Sequence, residues 1–192
     1  MYRSKARIAG HPIHPMLIAF PVALYVATVV TLLVFVGTAD PFWYRVALYA
    51  NVGGVVMAAV AAIPGLIDLL SLPRHSHARV TGIRHAAFNI LSLTLFVISG
   101  VLLYRNAGSD FTLANRTYEL DVTAPLALSI LGVLSTLAAG WLGWTLVQTH
   151  HVGIKTRASE RSRAGSELDA DELEVPHMPA TYQETYRTTI RH

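Results

Sequence analysis

Four stretches of this chain contain no Asp, Glu, Lys, Arg or His: 15–39, 46–67, 86–104 and 122–149, of 25, 22, 19 and 28 residues. A helix needs roughly 20 apolar residues to cross the hydrocarbon core of a bilayer. In lipid, where no water satisfies backbone polar groups, such runs must be helical. The runs therefore predict an all-α integral membrane protein, a four-helix up-and-down bundle with spans near 15–37, 44–70, 82–104 and 123–149. Composition agrees, with 53% hydrophobic and only 14% charged residues. Soluble domains average about a quarter charged. The chain has no cysteine, which excludes disulfides, thiolate metal sites, iron–sulfur clusters and cysteine nucleophiles.

The first run follows a basic leader (Arg3, Lys5, Arg7). It is too long for a signal peptide and no small-residue cleavage site follows it, so a retained span is expected. Ten of the fifteen Lys and Arg residues fall on one side of the predicted membrane: the N-terminus, the second loop and the start of the tail. Arg45, Arg105 and Arg116 fall on the other. The positive-inside rule then places both termini in the cytoplasm. The short first loop, 37–42, makes the first two spans antiparallel neighbours. The second loop is expected over 71–80, and the third, over 106–123, to hold a small hairpin within 111–120. The membrane domain is read as 1–154. Residues 155–192, with six basic and seven acidic side chains, read as a polar cytoplasmic tail that is solvated or docks a partner. No internal repeat is legible, which disfavours a transporter built from duplicated halves.

Following the spans at helical spacing gives two small-residue faces and one polar stripe. The fourth span carries Ser129, Gly132, Thr136, Gly140, Gly143, Val147 and His150. The second carries Gly54, Ala58, Ala61, Gly65 and Asp68, and the third His85, Asn89, Ser92, Phe96 and Ser99. Small faces allow close helix packing in lipid, or leave room for a flat ligand. All four spans also bring an imidazole or carboxylate to the same end: His11 and His14, Asp68, His85, and His150 with His151. Any one of these has an ordinary explanation as an interfacial or capping residue. Their coincidence at one depth points to function.

Neutral imidazole suits iron, copper and zinc. Two chemistries follow. Two histidines on different helices could hold a haem axially, with Asn89 and Arg84 at its edge. A compact His/His/Asp/His set could instead hold a bare transition-metal ion. A metal-free proton relay is a third. Nucleophile elbows, phosphate-binding loops, dinucleotide fingerprints and zincin motifs are absent, and the basic residues flank lipid rather than nucleic acid.

Several motifs resemble an uncharacterised bacterial membrane family, DUF2231. They are Gly10-His11-Pro12-Ile13-His14-Pro15 with Phe20-Pro21, Asp40-Pro41-Phe42-Trp43-Tyr44-Arg45, Ile63-Pro64-Gly65-Leu66-Ile67-Asp68, Arg84-His85-Ala86-Ala87-Phe88-Asn89, and Gly140-Trp141-Leu142-Gly143 with His150 and Gly153. The resemblance covers residues 8–154. Trp144 and His151 stand where the family pattern leads one to expect glycine. Relatives joined to Rieske or cytochrome c-like domains imply membrane electron transfer, and this chain, lacking such a domain, would need a separate redox partner.

The leading expectation is a b-type cytochrome-like subunit. His14 and His85 would be axial ligands of haem b, with His150 the main substitute. His11, Asp68, Asn89 and Arg84 would surround them. The alternatives are a non-haem ion on His14, His85, His150, His11 and Asp68, and a structural subunit assembled with other membrane proteins or a second copy of the chain.

Overall fold

The computed structural model describes residues 5–9, 11–108 and 120–150. A two-residue hairpin opens it. Strand β1 (Arg7–Ile8) pairs antiparallel with β2 (His11–Pro12), with Arg7 opposite Pro12 and Ile8 opposite His11. The Ile13 amide donates to the Ala6 carbonyl at 3.1 Å and turns the chain into the first span. That span is broken into α1 (Ile13–Leu17) and α2 (Ala19–Thr38), with Ile18 between them. Pro21 explains the break, because it lacks the N–H that would reach the Leu17 carbonyl.

Helix α3 (Pro41–Ser71) starts with Pro41 in its first turn, and the Asp40 side chain accepts from the Phe42 amide. Both are favoured at helix starts. It stops at Leu72, which is extended as a residue before proline should be. Ser76 then caps α4 (His77–Ala107) by accepting from the Arg79 amide at 3.2 Å. The second loop is thus shorter than the 71–80 expected, because this cap starts α4 before its charge-free stretch. Asp121 accepts from the Thr123 amide at the start of α5 (Thr123–Gln148). This bond holds the Asp121 carboxyl below the usual carboxylate range.

Four segments, Ile13–Thr38, Pro41–Ser71, His77–Ala107 and Thr123–Gln148, are long and apolar enough to cross a membrane. At 26 to 31 residues, each exceeds the roughly 30 Å hydrocarbon thickness. Helix α2 packs most closely on α3 and α4 on α5, with α3–α4 and α2–α5 contacts joining the pairs. Large apolar side chains face outward, among them Val26, Val30, Leu33, Ile98 and Leu134, as a bilayer requires. The hairpin expected within 111–120 and the tail 155–192 fall outside the described residues, Leu120 apart.

The structure reveals a repeat that the sequence did not. His14 and His85, Tyr25 and Phe96, Thr28 and Ser99, and Leu32 and Leu103 are each 71 positions apart. On the partner helices, Asn51 and Ser129, Gly54 and Gly132, Ala61 and Ala139, and Gly65 and Gly143 are each 78 apart. Each pair occupies matching places. Leu32 and Leu103 are both fully buried, and Tyr25 and Phe96 stack face to face with centroids 3.6 Å apart. The bundle is therefore an approximate twofold arrangement of two helix pairs, α1–α3 and α4–α5.

Candidate functional site

The site is built twice, once in each half. In the first, the His14 Nδ1–H donates to the Ala61 carbonyl of α3 at 2.8 Å. One turn further, Gly65 lies under the ring, where a Cβ would stand 2.9 Å from both Nδ1 and Cε1 of His14. In the second, the His85 Nδ1–H donates to the Ala139 carbonyl of α5, also at 2.8 Å. Gly143 lies beneath it, where a Cβ would stand 3.2 Å from Cε1. A carbonyl only accepts, so Nδ1 must carry the hydrogen in both rings. In the neutral ring the lone pair is then on Nε2. The two imidazoles are neighbours, with centroids 6.1 Å apart and planes at 89°.

Asn89, one turn beyond His85, places its Nδ2 3.1 Å from His85 Nε2 and 2.9 Å from the His85 carbonyl. The amide carries two hydrogens and can donate to both. The matching position in the first half is Ile18, which has no donor. The site is thus symmetric in its two seats and asymmetric in this one polar neighbour.

The other candidates lie apart from the pair. His11 is exposed on β2, with Nδ1 3.0 Å from the Ala9 carbonyl. His150 follows α5, with Nε2 3.4 Å from Thr81 Oγ1. Asp68 accepts from the Lys5 and Ala6 amides at 2.8 and 3.2 Å, which ties the N-terminal segment to the end of α3. Arg84 is exposed on α4. Among the described residues, no group of three or more His, Asp or Glu is placed to hold a metal ion.

The glycine faces are largely filled by the protein's own rings. A Cβ at Gly54 would lie 2.7 Å from Tyr25, and one at Gly132 would lie 2.6 Å from Phe96. Gly140 instead opens outward with nothing within 4 Å, beside a shallow groove that includes Thr136, Trp141 and Trp144. Gly143 lies 11 residues from Gly132, about three whole turns, whereas Gly140 is roughly 80° away. The stripe read from sequence is therefore two faces. The same 11-residue step separates His14 from Tyr25, His85 from Phe96, and Gly54 from Gly65. That doubled His-to-aromatic and Gly-to-Gly spacing is the signal that sequence reasoning missed.

In comparisons with known proteins, a family model described as "Predicted membrane protein (DUF2231)" matches residues 10–156. No curated protein and no solved structure matches.

Proposed function

The chain belongs to the DUF2231 family of predicted membrane proteins, and on that premise we propose that it is a membrane electron-transfer subunit whose His14 and His85 hold a haem b. The observation that carries this reading is the doubled seat. Two imidazoles face one another across the bundle, each anchored through Nδ1 to a backbone carbonyl. Metal-ligating histidines are oriented in this way, and the bond makes the other nitrogen a better donor. Neutral imidazoles with the hydrogen held on Nδ1 keep Nε2 free to bind, so His14 and His85 would be the residues to hold the group. Their ring centres are 6.1 Å apart, so the two could serve one group together.

When bound, haem supplies one-electron chemistry, tuned by its axial ligands and their burial. The chain's own residues hold and orient. Gly65 and Gly143 let the rings lie against α3 and α5. With haem bound, His85 Nε2 would serve the group and Asn89 would keep its bond to the His85 carbonyl. The group would exchange electrons with a separate membrane partner. The charge asymmetry supports both termini being cytoplasmic, in the bacterial inner membrane, with the pair toward that face.

A compact site for a bare ion has less support. Asp68 is engaged by two backbone amides, and His11 and His150 have other neighbours. The test is an absorption spectrum of detergent-purified protein, air-oxidised and then dithionite-reduced, with metal analysis of the same sample. A Soret band that shifts on reduction, with iron, is expected. A colourless protein with stoichiometric zinc or copper would overturn haem in favour of a bare ion. A colourless, metal-free protein from haem-sufficient cells would leave a structural subunit.

A further inference from the structure

We infer that Asp68 is a positioning residue for His14, holding that imidazole in place through the N-terminal segment, and that the His85 seat has no such hold. The two histidines enter their helices differently. His85 lies more than two turns inside α4, so continuous helix fixes its backbone on both sides. His14 is the second residue of α1, a helix of five residues whose N-cap, Pro12, makes no side-chain hydrogen bond. So short a helix does not hold itself, and Ile18 separates it from α2. The chain leading into His14 must therefore be fixed from outside.

Asp68 supplies that hold. Its Oδ1 accepts from the Lys5 amide at 2.8 Å and from the Ala6 amide at 3.2 Å. Bonds to a carboxylate are stronger than those between neutral groups. The Ala6 carbonyl in turn accepts from the Ile13 amide, and His14 is the next residue. The chain between them folds back as a hairpin of two-residue strands, too small to be stable alone. Its turn places Ala9 at φ 47°, a left-handed conformation that is unfavourable for any residue with a Cβ. Three places on one face of α3 thus serve one histidine. The Ala61 carbonyl takes the ring hydrogen, Gly65 makes room for the ring, and Asp68 fixes the chain that leads into it. The matching places on α5 are Ala139, Gly143 and Leu146. The first two repeat the seat, but a leucine side chain cannot accept a hydrogen bond. The inference concerns how the imidazole is held and does not rest on the haem reading.

Deuterium exchange at the imidazole Cε1, read for each histidine by mass spectrometry, tests it. The full chain in detergent, purified from haem-deficient cells, is used so that the result does not turn on a cofactor. A ring that is hydrogen-bonded and packed against a helix exchanges slowly. His75, exposed in the second loop, sets the free rate. Asp68→Leu, which copies the second half, should speed His14 several-fold toward the His75 rate and leave His85, still bonded to Ala139, as it was. Asp68→Asn keeps an oxygen for the two amides and should keep His14 slow. A chain lacking residues 2–9, with Asp68 intact, should speed His14 as Asp68→Leu does. An unmoved His14 rate in either Asp68→Leu or the shortened chain would overturn the inference. So would equal acceleration of His14 and His85, which marks a general loosening of the bundle, or a His14 as fast in Asp68→Asn as in Asp68→Leu.

Discussion

The α1–α3 half and the α4–α5 half set the same groups at matching positions but tie their helices together by different means. In the second half, hydroxyls cross between helices. Ser92 donates to the Gly132 carbonyl, Ser99 to the Pro125 carbonyl and Ser135 to the Phe88 carbonyl. In the first half the equivalents of Ser92 and Ser99 are Pro21 and Thr28. Thr28 and its neighbour Thr31 bond within their own helix. Close approach serves both halves, with Tyr25 over Gly54 and His14 over Gly65 in the first as Phe96 over Gly132 and His85 over Gly143 in the second, so the crossing hydroxyls are what the second half adds. The difference separates what the imidazole seat needs from what merely accompanies it. Pro64 stands beside the His14 seat, where it removes the N–H that would reach the Val60 carbonyl. Its equivalent beside the His85 seat is Leu142, and the His85 bond to Ala139 is just as short. The seat needs the glycine one turn after its carbonyl, which both halves have. It does not need the proline.

This comparison can be broken most forcefully at the ring-bearing glycines. Gly132→Val should be the most damaging change, because its Cβ would strike the fully buried Phe96 ring. Overpacking of this kind costs about 1–3 kcal/mol or more, visible as a lowered thermal midpoint in detergent. Next come the seats. Gly65→Ala should displace His14 more than Gly143→Ala displaces His85, because the contacts would be 2.9 and 3.2 Å. Cofactor retained per protein after purification would show this ordering, and equal retention would contradict it.

A smaller effect sharpens the contrast between the halves. Ser99→Ala should lower stability by roughly 0.6–1.7 kcal/mol, the range for interhelical hydrogen bonds in membranes. Thr28→Ser, which keeps the hydroxyl, should change far less. Pro64→Leu, which copies the second half, should leave the His14 seat and its cofactor in place. The smallest effect belongs to Gly140→Ala. It meets open space and should stay within about 0.5 kcal/mol of the unaltered protein.

What could be read in the sequence follows from how local each cause is. The four spans were legible because freedom from charge over some 20 residues is a local property. The ends of the spans were not, since α3 and α4 extend to Pro41, Ser71 and His77 through caps and a proline. The repeat escaped because its identities are sparse: pairs such as His14 with His85 and Gly65 with Gly143 match, but Tyr25 pairs with Phe96, Thr28 with Ser99 and Asn51 with Ser129. The offset also changes from 71 to 78 between the two helices of each half, so no single register aligns them. Within the histidine cluster, shared depth was legible but rotation was not. His14 and His85 were the expected ligands, with His150 the main substitute and His11 beside them, but periodicity alone did not fix which rings meet. The structure seats His14 and His85 on backbone carbonyls of neighbouring helices, sets His150 beside Thr81 and gives Asp68 to the Lys5 and Ala6 amides, next to a hairpin whose two-residue strands carry no periodic signal. Trp141 and Trp144 are exposed on α5, as side chains of an interfacial aromatic belt are.

The central claim is that the two seats act as one unit, holding a single haem between His14 and His85. Haem bound per chain, measured by pyridine haemochrome assay on the unaltered protein and on His14→Ala and His85→Ala side by side, tests it most directly. The account predicts one haem per chain, lost to the same extent in both variants, and no loss on His177→Ala in the polar tail. Haem retained in full and six-coordinate after either substitution, or no haem in the unaltered protein from haem-sufficient cells, would contradict it.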